Sequence, residues 1–230
     1  DIVDWGTDGE MWKSFFDVAK VYLDKMPIIA AIGNHYYYGR KTFFSATMPE
    51  NFKKFLRWEG ANESGFGVIS FPTFKLILFN SMLYTMSKKQ INEQWRLLIS
   101  NLQEFKKNKI PVIISMHYPP YSSSFFQLSP STAILRHQLV PILEKYGVKL
   151  VLAGHTHVYE RSVRNGINYV IAGPAGGKPE KRAVAHNPYR VVYKLNTWTF
   201  SRYKVSDGIA KMETYDQDGT MIDHMEISLL

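Results

Sequence analysis

Three short apolar runs, each followed at once by a side chain that can bind a metal, constrain this chain more than any other feature. The run "IIAAIG" leads into Asn34 and His35, "VIISM" leads into His117, and "LVLAG" leads into His155 and His157. Short apolar runs predict buried strands, and in open α/β sheets ligands bind beyond the carboxyl ends of the strands. The pattern therefore predicts one site on which loops from distant parts of the chain converge.

Segments with helical periodicity alternate with these strands. They are residues 9–25, 88–108 and 132–146. In the first of them, and at the residue directly after it, one predicted face is shared by Met11, Phe15, Val18, Tyr22 and Met26. Residues 27–33 are predicted to form a strand, and residues 43–64 are predicted to form helix and loop.

Two further regions of the sequence have the pattern of antiparallel strands joined by turns. "GFGVISF" and "FKLILFN" predict two strands around Pro72 and Thr73. After residue 196, three alternating segments separated by "SDG" and "DQDG" predict an antiparallel meander. This order of elements predicts an α/β fold with mixed sheets. The absence of an internal repeat or low-complexity linker favours a single domain over residues 1–230.

Composition narrows the classes of protein to consider. Hydrophobic residues make up 45% of the 230 residues, so the chain can bury a core. The sequence has no cysteine, which excludes disulfides and thiolate metal sites, and no apolar run approaches the roughly eighteen residues of a membrane span. The net charge of +8 favours anionic partners. The basic residues are scattered, which argues against nucleic acid as the main partner.

The pair His155 and His157 suits metal binding. Residues two positions apart in an extended segment point to the same side, so both imidazoles can face one site. Imidazole suits ions such as Zn, Fe and Mn, whereas carboxylate and amide oxygens suit harder ions. Asp1 is predicted to stand at a fourth strand end, because "IVDWG" follows it as a loop. Together with Asn34, His117 and Asp1, the two histidines form a plausible transition-metal site without sulfur.

Each of these residues alone has a structural explanation, since a single His at a strand end is more often a hydrogen-bonded loop residue. The joint pattern favours the metal site. His137, in a predicted helix, His186, in a predicted loop, and His224, in the meander, lack the setting and are predicted to be structural.

The set Gly33–Asn34–His35, His117 after a strand, and Gly154–His155–Thr156–His157 resembles the calcineurin-like metallophosphoesterase superfamily. The opening "DIVDWG" resembles the family's Gly-Asp motif without its Gly. "LVLAGHTHVYERS" and "GINYVIAGPAGG" resemble the purple acid phosphatase-like branch. The resemblance extends to about residue 177.

The resemblance implies a four-layer αββα sandwich of two mixed sheets. It also implies a phosphoric ester hydrolase, with phosphomonoesters favoured as the anionic substrates, in which a metal-bound hydroxide attacks phosphorus in line. Two divalent or trivalent transition-metal ions (Fe, Mn or Zn) would be held by Asp1 as bridge, by Asn34, His117 and His155 at one site, and by His157 at the other. His35 would protonate the leaving oxygen or hold the phosphate.

The chain departs from the family pattern in three places. The Asp-x-His motif of an earlier strand is absent, which predicts either that the first strands lie upstream of a truncated start or that the second metal site is degenerate. Asp4 stands where purple acid phosphatases have Tyr, so their colour is not expected. Tyr36 replaces the acidic residue that orients the family's His, which is expected to weaken His35 as an acid.

Several interpretations stay open. The same scaffold could be a phosphodiesterase or nucleotidase, or a non-catalytic binding domain with a degenerate metal site. Tyr159, Glu160 and Arg161 could fix the imidazoles, or Glu160 and Arg161 could form an ordinary salt bridge. The aromatic loop 36–40 could line the substrate pocket or simply pack. "GPAGGK" lacks P-loop spacing and indicates a glycine-rich turn near the site. Oligomeric state is open, and export or a periplasmic location is weakly favoured.

Overall fold

The structure is a computed structural model, and it describes residues 1–39, 49–56 and 60–230. The α-helices in this part of the chain are α1 (Gly9–Leu23), α2 (Glu50–Leu56), α3 (Lys88–Lys107), α4 (Pro130–Ile134) and α5 (Val140–Tyr146). A π-helical turn, Leu135–Leu139, joins α4 to α5. The strands are β1 (Gly67–Ser70), β2 (Lys75–Leu78), β3 (Val112–Ser115), β4 (Leu150–Ala153), β5 (Tyr159–Arg164), β6 (Ile167–Ala172), β7 (Arg190–Lys194), β8 (Thr199–Ser206), β9 (Ile209–Asp216) and β10 (Met221–Ser228).

The first seven strands form one mixed sheet in the order β1-β2-β3-β4-β6-β5-β7. Its four central strands, β2, β3, β4 and β6, run parallel, and the outer strands pair antiparallel. The carboxyl ends of the four central strands therefore meet at a single edge of the sheet. Two of the predicted polar strand ends, at His117 after β3 and at His155 after β4, lie at that edge.

The last three strands form a separate antiparallel sheet in the order β10-β9-β8. Alternating residues of the large sheet face opposite ways, as the pleat requires. Ile113 and Leu150 pack against Met212 and Met225 of the small sheet, whereas Ile114 and Val151 pack against the helical layer that contains Leu98 and Leu143. The α/β fold class with two sheets and a C-terminal meander is confirmed, and the second sheet is antiparallel in every described pairing.

Local sequence explains where the two long helical segments begin and end. At the start of α3, Ser87 and Gln90 form a capping box, with the Ser87 side chain accepting from the Gln90 N–H and the Gln90 side chain accepting from the Ser87 N–H. At the end of α5, Gly147 adopts a left-handed conformation with φ of 79°. The helices predicted for 88–108 and 132–146 are confirmed, as is the hairpin of β1 and β2.

Two predictions about the first forty residues are wrong. Residues 27–33 form no strand and pair with none of the described strands. The predicted face of α1 is only partly covered: Met11 and Phe15 pack against the cluster that buries Trp12, whereas Val18, Tyr22 and Met26 are exposed. Trp12 lies in a cluster with Tyr36 and Phe52 that fixes the helix to the chain around residue 36.

Some predictions lie partly outside the described residues. Of the predicted helix and loop at 43–64, the structure describes residue 49, α2 and residues 60–64. Residues 43–48 and 57–59 lie outside the described part of the chain, as does Arg40 of the aromatic loop. In the described ranges, no helix is both long and apolar enough to cross a membrane. That residues 1–230 form a single domain stays a prediction.

Candidate metal centre

Two neighbouring parallel strands bring His117 and His155 side by side. Strands β3 and β4 pair in register from Ile113 with Leu150 onward. The pairing continues past their ends, since the Met116 N–H donates to the Leu152 carbonyl at 3.0 Å and the Gly154 N–H donates to the His117 carbonyl at 3.0 Å. Both imidazoles therefore lie just beyond the ends of two paired strands, at the same edge of the sheet.

The opposite side of the site comes from the first residues of the chain. The Gly6 N–H donates to the His35 carbonyl at 2.9 Å, and the His35 N–H donates to Asp1 Oδ1 at 3.0 Å, so the loop after Asp1 is fastened to the turn at Asn34. Gly33 allows this approach, because a Cβ there would lie 2.2 Å from Asp1 Oδ1 and 2.8 Å from His117 Nδ1. The glycine of "GNH" is thus a steric requirement of the site.

Four side-chain atoms from these two halves converge. His117 Nε2 lies 2.8 Å from Asp1 Oδ2 and 2.8 Å from Asn34 Oδ1. His155 Nδ1 lies 3.0 Å from Asn34 Oδ1 and 3.2 Å from His117 Nε2. Ligands bonded to a common ion at about 2.0–2.2 Å are themselves separated by roughly 3 Å. The spacing of these nitrogen and oxygen atoms is that of a coordination shell.

The electrostatics of the two imidazoles suit the same role. Burial lowers the pKa of His117 well below its usual value. Burial, reinforced by the neighbouring His117, lowers the pKa of His155 to about 2. Both rings are therefore neutral near pH 7, so the short contact between His117 and Asp1 is not an ion pair. A neutral imidazole is the form that binds a metal.

His155 also has an unusual backbone. Its φ is 68°, in the left-handed region that non-glycine residues seldom adopt. This conformation turns the ring toward Asn34 and His117 directly after Gly154. Such local strain is concentrated at functional sites.

His157 and His35 lie beside the four-atom group rather than in it. The described carboxylate and imidazole atoms that cluster tightly enough to share one ion belong to Asp1, His117 and His155. His157 Nδ1 lies 2.8 Å from the Lys178 carbonyl oxygen, and His35 Nδ1 lies 2.8 Å from the Asp4 carbonyl oxygen. Asp1, His35 and His157 line a common cavity of about 620 Å³.

Two residues that support the histidines were missed at the sequence level. Ser81 Oγ accepts from the N–H groups of His117 and Tyr118, at 3.2 and 2.8 Å. The Tyr118 ring packs edge-on against His155, with ring centroids 4.2 Å apart. Asn80 and Ser81 follow the apolar run "FKLILF", so the strand-end signal used for the other three strands could also have identified Ser81.

The residues expected to support the imidazoles from the end of β4 have other partners. Arg161 and Tyr159 both bind Asp223 of β10, at 2.6 Å each. Glu160 is fully buried and accepts from Ser123 and Asn187. The expected contact with the imidazoles and the alternative Glu160–Arg161 salt bridge are therefore both wrong, because these side chains tie β5 to neighbouring segments.

One part of the aromatic loop 36–40 is packed in the core, and another part contacts the candidate metal-binding residues. Tyr36 and Tyr37 are buried in the cluster around Trp12, as the packing alternative predicts. Tyr38 stands closer to the metal-ligating candidates, since its hydroxyl accepts from Asn34 Nδ2 at 3.2 Å. The histidines predicted to be structural are exposed and stand apart from the described four-atom group: His137, His186 and His224.

Two curated proteins are similar in sequence to part of this chain. An acid phosphatase of Aspergillus ficuum is 28% identical over 181 residues, which are 74% of this chain and 28% of that protein. Purple acid phosphatase 15 of Arabidopsis thaliana is 29% identical over 102 residues, 41% of this chain and 19% of that protein. The chain thus spans about a quarter or less of the length of these curated relatives.

Solved structures share the fold. Purple acid phosphatase PPD1 from yellow lupin (Lupinus luteus) seeds superposes with a TM-score of 0.75 at 18% identity, covering 94% of this chain and 43% of that one. A dimetal phosphatase from Danio rerio superposes with a TM-score of 0.58 at 12% identity, covering 96% and 79%. The family model for calcineurin-like phosphoesterases matches residues 1–159. The chain therefore belongs to the calcineurin-like phosphoesterase family.

Proposed function

We propose that this chain carries the site of a metal-dependent phosphoric ester hydrolase that acts on phosphomonoesters. Membership of the family implies phosphoester substrates and a divalent or transition-metal cofactor. The observation that carries the proposal is the convergence of Asp1 Oδ2, Asn34 Oδ1, His117 Nε2 and His155 Nδ1 within hydrogen-bonding distances of one another.

The donor chemistry fits a transition metal. Two neutral imidazole nitrogens, one amide oxygen and one carboxylate oxygen form a mixed set that suits Fe, Mn or Zn. In the proposal, Asp1, Asn34, His117 and His155 hold one ion. Asp1 and His157, which line the same cavity, contribute to a second. When bound, such ions polarise a phosphoryl group and activate water near neutral pH.

His35 is proposed as the residue that acts on the substrate. Its ring is about one-third exposed, and its Nδ1 is held by the Asp4 carbonyl oxygen. A carbonyl only accepts, so Nδ1 carries a proton and Nε2 is left to contact the substrate. When Nε2 is protonated as well, His35 would donate to a phosphoryl oxygen or pass that proton to the leaving oxygen. The Asp4 carbonyl takes over the orienting role for which the family uses the acidic residue that Tyr36 replaces.

The overall charge supports an anionic substrate. The net charge of +8 raises the local concentration of phosphate esters and speeds their arrival. The proposal thus specifies phosphomonoesters as the substrates and two ions of Fe, Mn or Zn as the cofactor. It also includes export of the protein from the cell.

The test is hydrolysis of p-nitrophenyl phosphate and of bis-p-nitrophenyl phosphate after loading with Fe, Mn or Zn. We expect turnover of the monoester to exceed that of the diester. His155→Ala should abolish turnover and bound metal together, whereas the control His137→Ala, on an exposed helical site, should retain both. Preferred turnover of the diester would favour a phosphodiesterase. If the wild-type protein binds no metal after loading and hydrolyses neither ester, a non-catalytic binding domain is favoured and the proposal is contradicted.

A further inference from the structure

The segment Gly177–Glu180, which we call the strap, begins within the glycine-rich turn after β6 and lies against His157. The Lys178 carbonyl oxygen lies 2.8 Å from His157 Nδ1. Glu180 Oε1 accepts from the His157 N–H at 3.2 Å, and the Glu180 N–H donates to the His157 carbonyl at 2.8 Å. The strap therefore contacts both the backbone and the ring of this histidine.

The ring contact determines which nitrogen carries the proton. A carbonyl oxygen can only accept a hydrogen bond, so Nδ1 of His157 must be the protonated nitrogen. In the neutral ring, the lone pair then resides on Nε2. His157 lines the cavity shared with Asp1 and His35.

Gly177 makes the close approach possible. A Cβ at this position would lie 2.7 Å from His157 Cε1 and 3.1 Å from each ring nitrogen. Real Cβ atoms do not approach a ring so closely, so any side chain here would displace the imidazole. The second glycine of the "GG" pair in "GPAGGK" is thus explained by the position of His157.

The strap is itself anchored to other parts of the molecule. The Trp198 indole N–H, just before β8, donates to the Gly177 carbonyl at 2.8 Å. The Ser124 hydroxyl donates to Glu180 Oε1 at 3.0 Å, and the Asn196 N–H donates to the Glu180 carbonyl at 2.9 Å. These anchors hold the strap, and through it His157, at a fixed position.

We propose that the strap is a positioning element that fixes the Nδ1-protonated tautomer of His157 and presents Nε2 to the cavity beside Asp1. Glu180 and Gly177 are its positioning residues. The metal-binding consequence rests on the proposed function, whereas the tautomer does not. A partner that fixes the tautomer and orientation of a ligating histidine typically changes metal affinity by about 10- to 100-fold.

The first test is performed on metal-free protein near pH 7.5, with long-range ¹⁵N–¹H correlation spectra of the histidine rings. We expect His157 to show the Nδ1–H tautomer in the wild type and a mixture in Gly177→Ala and in Glu180→Ala. The exposed neighbour Lys181 provides the control, and Lys181→Ala should match the wild type. An Nε2–H tautomer for wild-type His157 would overturn the inference.

The second test is calorimetric titration with Mn²⁺ or Zn²⁺. Glu180→Ala should weaken one binding event about 10- to 100-fold and leave the other unchanged. Glu180→Gln keeps an accepting oxygen and should restore most of the affinity. If Glu180→Ala melts like the wild type and leaves both the tautomer and the affinities unchanged, the strap has no positioning role. If the predicted tautomer is found but wild-type protein binds no metal, the strap inference stands and the proposed function fails.

Discussion

At the scale of single residues, the candidate site was largely predictable because its members follow apolar runs. Asn34, His117 and His155 stand directly after such runs, and the structure brings their ligand atoms together with Asp1. The supporting contacts were not predictable. The roles of Asp4 and Lys178 depend on backbone carbonyl oxygens, which every residue type has, so no side-chain pattern could mark them.

Gly33 gives a residue-scale prediction. We expect Gly33→Ala to lower metal affinity by at least 10-fold, because its Cβ would push against Asp1 Oδ1 and His117 Nδ1 at 2.2 and 2.8 Å. Calorimetric metal titration measures the change. The control is Gly9→Ala at the start of α1, where a Cβ would meet nothing within 4 Å. Equal affinities in the two variants would show that the approach of Asp1 to His117 is not needed.

At the scale of elements, segments with a clear hydrophobic period or turn signals were predicted well. The segment that has no pairing partner was not. Helix α3 has both an apolar face and a capping box, and the meander has turn signals between its strands. Residues 27–33 have a strand's composition, but composition cannot supply a hydrogen-bonding partner. The face of α1 was misjudged because Trp12, one large ring stacked on Tyr36, outweighs several smaller apolar residues.

The contact between β5 and β10 gives an element-scale prediction. Asp223, which is buried, accepts from Arg161 at 2.6 and 2.9 Å and from Tyr159 at 2.6 Å. We expect Asp223→Asn to lower the free energy of unfolding at pH 7 by about 2–4 kcal/mol, because it leaves a partly buried guanidinium without its charge partner. Denaturant unfolding measures the loss.

The same variant should show a defined pH dependence. Burial alone would raise the pKa of Asp223, but Arg161 and Tyr159 outweigh it and the net pKa is lowered. A depressed folded-state pKa stabilises the protein above the unfolded value of about 3.9, and this stabilisation is lost as pH falls through the folded-state pKa. The difference between wild type and Asp223→Asn should therefore shrink below about pH 4. The exposed pair of Lys211 and Glu226 supplies the control, since Glu226→Gln should change stability little. A constant difference across that range would contradict the assignment.

At the scale of the whole molecule, the fold class could be predicted from the order of elements, whereas the packing of the two sheets against each other could not. Alternating strands and helices followed by a meander predicted an α/β fold with mixed sheets, and the family resemblance implied two of them. Which residues join the sheets depends on contacts between distant segments, such as Ile113 with Met212 and Arg161 with Asp223, and local periodicity carries no information about them. The site lies where the edge of the large sheet meets the first residues of the chain, so it requires the assembled fold.

The most direct test of the account is anomalous diffraction from crystals of the protein grown with Zn²⁺ or Mn²⁺. We predict a peak within about 2.0–2.3 Å of Asp1 Oδ2, Asn34 Oδ1, His117 Nε2 and His155 Nδ1. Ordered side chains at these four positions without a peak between them, or metal bound instead at an exposed histidine such as His186, would contradict the central claim.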